Sequence, residues 1–169
     1  DYSSMVDKYH VKRLVSGKIL AAEPYLYVRE LARIDTRRLP DTFVMKATHG
    51  WNMSLLIENG VVKGGNRSIE SDERQCTSRF LRKVAKSWLN SSFEQERQQR
   101  EKHYQQVTPG ILFEQSLAPV DYELQLFLFD GQLRFTTVLY RGFHHTKLSF
   151  RLYDENWQRL EPGSEATVP

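Results

Sequence analysis

The residues with the clearest chemical capacity are Lys46 and the polar loop after it, Thr48, His49, Gly50 and Asn52. They lie in Phe43-Val-Met-Lys-Ala-Thr-His-Gly-Trp-Asn-Met-Ser-Leu-Leu56. That stretch reads as a strand over Phe43–Ala47, a small loop, and a second strand over Leu55 to Glu58. A lysine offers a compact positive charge to phosphate oxygens. A glycine beside it lets an anion approach the backbone amides. The same pattern fits an ordinary hairpin whose lysine runs out to water, and the residues alone leave both readings open. Further on, Ile111-Leu-Phe-Glu114 reads as a short buried strand ending in an acid, followed by Gln115 and Leu117. A nucleotide needs cations for its phosphates, and backbone hydrogen bonds with sometimes one carboxylate for its base and ribose. A third group, Arg141, His144, His145, Lys147 and Arg151, suits an anionic group because the arginine fork matches carboxylate and phosphate. It suits a solvated basic loop equally.

Other chemistries find little support. His144 and His145 are adjacent, so in extended chain they face opposite ways. No histidine pair has i,i+4 spacing, and Cys76 is the sole cysteine, which argues against zinc and excludes an intrachain disulfide. The Gly-x-Ser-x-Gly and Walker-type patterns are absent. Asp121, Asp130 and Asp154 are too scattered to suggest paired acid–base work.

The elements that must position these groups follow from pattern. The chain has 169 residues, is 40% hydrophobic and carries a formal charge of +3, which fits one ordinary domain or two small lobes with a real core. The spacing predicts a helix over residues 3–16, capped by Ser3 or Ser4, then a strand over Tyr25–Val28 and turns or a short helix over Leu31–Leu39. Asn59-Gly60 and Asp130-Gly131 are hairpin turns. Lys63–Asp72 reads as a loop, and residues 73–89 as an amphipathic helix with Cys76, Phe80, Val84 and Trp88 at four-residue steps. A charged helix over Phe93–Tyr104 follows. Strands over Tyr122–Phe129, Leu133–Tyr140 and Leu148–Tyr153 form an antiparallel meander, and Glu161–Pro169 is a flexible tail. The class is α+β, with two sheet regions separated by a helical segment. Residues 1–110 make the first subdomain, 111–160 the second and 161–169 the tail. No apolar run reaches membrane-spanning length and no signal peptide is visible.

Several separated segments together resemble the TupA-like branch of the ATP-grasp proteins, which is associated with bacterial cell-surface and capsular polysaccharide biosynthesis. Asp7-Lys8-Tyr9-His-Val-Lys12 resembles its opening helix. Leu39-Pro40-Asp41-x-Phe43-Val-Met-Lys46-Ala-Thr-His49-Gly50 resembles its most recognisable segment. Ile111–Glu114 with Leu117 resembles the strand and linker between ATP-grasp subdomains. Asp121-Tyr122, Phe127-x-Phe129-Asp130-Gly131 and Tyr153-Asp154-x-Asn156-Trp157 resemble later landmarks. The resemblance covers about residues 5 to 160.

The resemblance implies an ATP-grasp-like fold, two antiparallel-sheet subdomains with flanking helices, and a cytoplasmic ATP-dependent ligase that activates a carboxylate as an acyl phosphate. It implies that Lys46 meets the ATP phosphates, that Thr48, His49, Gly50 and Asn52 form the loop over them, and that Glu114, Gln115 and Leu117 lie at the adenine side. Arg141 and Arg151 would bind phosphate or the acceptor carboxylate as catalytic residues. The partners implied are a nucleotide and a carboxylate-bearing sugar or peptide, with no nucleic acid; a homo-oligomer is compatible. Three departures accompany it. Asn52 stands where the family usually has a second glycine, Glu123 stands where it commonly has lysine, and the final Asp- and Glu-bearing strands that hold Mg2+ are missing. The expectation is therefore a C-terminally incomplete fold, with ATP as cofactor and Mg2+ only with that further segment. The alternatives are a noncatalytic binding or assembly module on a degenerate ATP-grasp fold, or a glycosyltransferase-associated protein.

Overall fold

In the computed structural model, the described residues are 5–50, 53–65, 75–91, 106–117, 122–140 and 149–161. They form two compact units, Asp1–Ser116 and Leu117–Pro169. Among the described residues there are two α-helices and two antiparallel sheets, an α+β arrangement as the sequence pattern predicts.

The first sheet contains β1 (Pro24–Val28), β2 (Phe43–Ala47), β3 (Ser54–Glu58), β4 (Val61–Gly65) and β5 (Ile111–Glu114), in the order β1-β5-β2-β3-β4. Alternation along the strands sends Phe43, Met45, Ala47, Leu55, Ile57, Ile111 and Phe113 to one face. There they form one core with Leu81, Val84, Ala85 and Trp88 of α2 (Ser78–Asn90). Thr77 caps α2, its side chain accepting from the Phe80 amide. Lys46 and Glu114 belong to the opposite face. The helix α1 (Lys8–Val15) meets that face, with Tyr9 stacked on Tyr27 of β1 at 4.0 Å between ring centroids. No residue of α1 is buried, so polar links and this ring stack carry much of its docking.

The helix starts at Lys8, because the Asp7 side chain accepts from the Tyr9 and His10 amides. Ser3 and Ser4 lie outside the described residues. The Asn59-Gly60 and Asp130-Gly131 turns have φ of +52° and +73°, and of +51° and +76°. Such values at both central residues suit the right-handed twist of a two-residue hairpin. The expected loop from Lys63 is strand as far as Gly65. The expected helix over 93–104, the basic stretch 141–148 and the tail from 162 lie outside the described residues.

The expected boundary at residue 110 moves to Ser116. The physical reason is pairing: β5 sits between β1 and β2, with Val28 opposite Ile111 and Met45 opposite Phe113. Residues 111–114 are therefore central to the first sheet and not the start of the meander. The second sheet runs β6 (Glu123–Phe129), β7 (Gln132–Tyr140), β8 (Ser149–Asp154), β9 (Arg159–Leu160). A bulge between Phe127 and Leu128 interrupts the simple alternation expected for β6 and β7. Leu124, Leu126, Leu128 and Phe129 remain exposed.

Gly110 marks a close approach. A Cβ there would lie 2.6 Å from Cε2 of Tyr27, whose ring is pinned by the Tyr9 stack. Gly110→Ala is expected to destabilise the protein by about 1–3 kcal/mol. Urea midpoints check this, and the loss should largely vanish in a Tyr27→Ala background.

Candidate functional site

Lys46 is the one cation of β2, and strand alternation turns it away from the α2 core. Register places Val44 opposite Glu114 and Lys46 opposite Leu112. Lys46 and Glu114 are thus diagonal neighbours on one face, within reach of long side chains. Lys46 Nζ lies 2.5 Å from Glu114 Oε1, with the Glu114 side chain 3% exposed and that of Lys46 35% exposed. Lys12 Nζ of α1 lies 2.9 Å from Glu114 Oε2 and donates to the Ala22 carbonyl at 2.7 Å. Lys8, one turn earlier on the same helix, donates to the carbonyls of Ala47 at 3.0 Å and Gly50 at 2.5 Å. Two ammonium groups therefore pair with one carboxylate, and a third, Lys8, lines the same pocket while bonded to backbone carbonyls.

These four side chains, with Met5, Val6 and Val11, line a pocket of about 400 Å³, within the size range of small-ligand sites. Burial lowers the Lys8 ammonium to about 8; the nearby Lys46 charge adds to this, while Asp7 and Glu114 oppose it. A bound anion would favour the charged form of the same amine.

The loop residues behave differently from one another. Thr48 is fully buried. Its amide donates to Gly110 O at 2.9 Å, and its hydroxyl points to the same oxygen at 3.4 Å. His49 is buried, with Nε2 3.0 Å from the Trp88 carbonyl at the end of α2. A carbonyl only accepts, so Nε2 carries the proton. Burial pushes this imidazole below its ordinary value; the Trp88 carbonyl partly offsets the shift. The side chains of Thr48 and His49 thus fasten the loop to the β5 approach and to α2. Gly50 is held through its carbonyl by Lys8.

Gln115 brackets Glu23, its amide donating to Glu23 O at 2.8 Å and its Oε1 accepting from the Glu23 amide at 3.3 Å. Leu117 is exposed and opens the second unit. Arg151 is on β8, in register with Val138. Asn52 and Arg141 lie outside the described residues. The structure therefore brings Lys46 and Glu114 together in one site. Lys8 and Lys12, which the sequence reading placed among the polar residues of the opening helix and in its family segment but not in the site, join them. Their i,i+4 spacing, which sets them on one helix face, was the available signal.

The three cations suit phosphate oxygens. Among the described residues no three His, Cys, Asp or Glu side chains cluster to hold a metal ion, so this set does not fit Mg2+ by itself. Among them, too, no helix is long and apolar enough to cross a membrane.

The first unit of this two-sheet α+β chain thus carries a pocket lined by three lysines and one carboxylate on the sheet face that meets α1. The family model for TupA-like ATPgrasp matches residues 1–168, and the chain belongs to that family. Searches of curated proteins and of solved structures found no match.

Proposed function

We propose that the pocket around Lys46 receives the phosphates of ATP, and that the protein acts as an ATP-dependent carboxylate ligase in surface-polysaccharide assembly. The observation that carries this reading is the pocket in which Lys12 and Lys46 pair with the buried Glu114 carboxylate and Lys8 lines the same wall. Among the side chains lining the pocket three lysines meet one carboxylate, and with Asp7 beside Lys8 the balance stays positive, a surplus that an anion would neutralise. Family membership supplies the nucleotide. In this reading Lys46 and Lys8 align and neutralise phosphate oxygens, which is most of what phosphoryl transfer asks of a protein. Thr48 and His49 hold the loop in place. When bound, Mg2+ would neutralise phosphate charge, with its donors supplied outside the cluster described. Arg151, and Arg141 beyond the described residues, remain proposed contacts for phosphate or the acceptor carboxylate. The cytoplasm is the compartment in which ATP would be met.

Titration calorimetry with Mg-ATP and with tripolyphosphate tests this. ATP should bind at one site, and tripolyphosphate should compete for it. Absence of competition would remove the phosphates from this pocket. A second reading keeps binding and drops chemistry, as a noncatalytic assembly module. Glu123 and Asn52, both departures from the family pattern, favour it. ATP binding without phosphate release, across candidate carboxylate sugars and peptides, would select it.

A further inference from the structure

We infer that Lys12 is a positioning residue that sets the Lys46 ammonium for its ligand by acting through Glu114. The inference rests on the phosphate-site reading above. Glu114 has two oxygens, and they are held from opposite sides. Lys46 of β2 takes Oε1 at 2.5 Å and Lys12 of α1 faces Oε2 at 2.9 Å. The two contacts differ in kind. The aligned hydrogen bond of Lys12 goes to Ala22 O, and Oε2 has no aligned donor. Lys12 thus acts on the carboxylate as a charge fixed in place by a backbone carbonyl. Its side chain is 18% exposed and that of Glu114 3%, so water screens the pull only weakly.

The arrangement has a directional consequence. Without Lys12, the carboxylate carries its full charge toward Lys46 and pairs with it alone. A phosphate must then displace a stronger competitor. With Lys12 in place the carboxylate is shared, and Lys46 is held at the pocket without being wholly neutralised. Ala22 O connects this to the segment before β1, so the entry to the sheet and the α1 helix jointly fix the carboxylate.

The test uses the full chain. Lys12→Met keeps the stem and removes the charge; Lys12→Arg restores the charge. Tripolyphosphate affinity should fall about tenfold in Lys12→Met and return to within about threefold of wild type in Lys12→Arg. In a Glu114→Gln background, Lys12→Met should change affinity by less than about twofold, because the intermediary is gone. An equal loss in both backgrounds would overturn the inference, since Lys12 would then touch the ligand itself. Unchanged affinity in Lys12→Met would overturn it as well. A readout without ligand separates this from failure of the nucleotide reading. The Lys46 ε-methylene resonance of the ligand-free protein should move in Lys12→Met and return in Lys12→Arg. If wild type binds no phosphate, the function proposed above fails while this resonance still reports the relay. A resonance unmoved by Lys12→Met, with the Tyr9 and Tyr27 ring signals intact, overturns the relay. Should Lys12→Met disturb those ring signals, the Glu114→Gln variant reads the same link from its other end, and an unmoved Lys46 resonance there overturns it too.

Discussion

Replacing Lys46 with methionine is expected to lower ATP affinity by about ten- to a hundredfold, the range for losing a charge-assisted hydrogen bond to an anion. The substitution also acts on the free protein. Glu114 loses its 2.5 Å partner and, 3% exposed, keeps only Lys12. A carboxylate left part-compensated in that setting costs about 1–3 kcal/mol of stability. Urea unfolding measures the second effect and calorimetry the first. Pairing Lys46→Met with Glu114→Gln removes the orphaned charge and should recover stability without recovering affinity. Full recovery of both would mean that Lys46 serves the fold alone. An unaltered ATP affinity in Lys46→Met, in protein shown to be folded, would sink the phosphate assignment.

Raising pH should have opposite effects on binding and on stability, and Lys8 is the reason. Burial and Lys46 bring its ammonium down to about 8 from 10.5. An anion that needs the ammonium binds less well once the proton is gone. Between pH 7 and pH 9.5 the Lys8-dependent part of ATP affinity should therefore fall about thirtyfold. Stability runs the other way. Between about 8 and 10.5 the unfolded chain holds a proton on Lys8 that the folded chain has released, so unfolding takes up protons and stability rises with pH. The titratable groups near Lys8 include Asp7, which caps its helix, Lys46 of β2 and Glu114 of β5, with His49 of the following loop, whose imidazole also feels the Lys8 charge. Comparing wild type with Lys8→Met isolates its share. Calorimetry near pH 8.5 in buffers of different ionisation enthalpy should record proton uptake on ATP binding. An identical pH profile in wild type and Lys8→Met would show that this amine does not meet the ligand.

Much of the fold was legible because its signals are local. The hairpin turns at Asn59-Gly60 and Asp130-Gly131 need positive φ at both positions, and those residue types announce it. The α2 stripe was readable from its four-residue steps at Phe80, Val84 and Trp88, but the helix begins only at Ser78, after Cys76 and the capping Thr77. Membership of β5 was not readable. Ile111–Glu114 is four apolar or acidic residues with no local mark of which strands flank it, and its place between β1 and β2 is set by long-range pairing. That same pairing makes the site. Lys46 was visible as an odd charge in a strand, and Glu114 as a strand-ending acid. Their contact depends on register, which no spacing in the chain encodes. Lys8 and Lys12 looked like the polar side of a helix, because what they face is supplied by strands far along the chain. Thr48 and His49 looked like phosphate-loop residues. Their partners, Gly110 O and Trp88 O, are carbonyls, and sequence says nothing about where a carbonyl will be.

The two helices should answer added electrolyte differently. The α2 helix holds on through Leu81, Val84, Ala85 and Trp88, and sulfate tightens such an oily grip. The α1 helix buries no residue and leans on ammonium contacts, so it lacks that grip, and mobile ions weaken only the exposed share of its contacts. Sulfate should thus firm the α2 face of the sheet while giving no such gain to the α1 wall of the pocket.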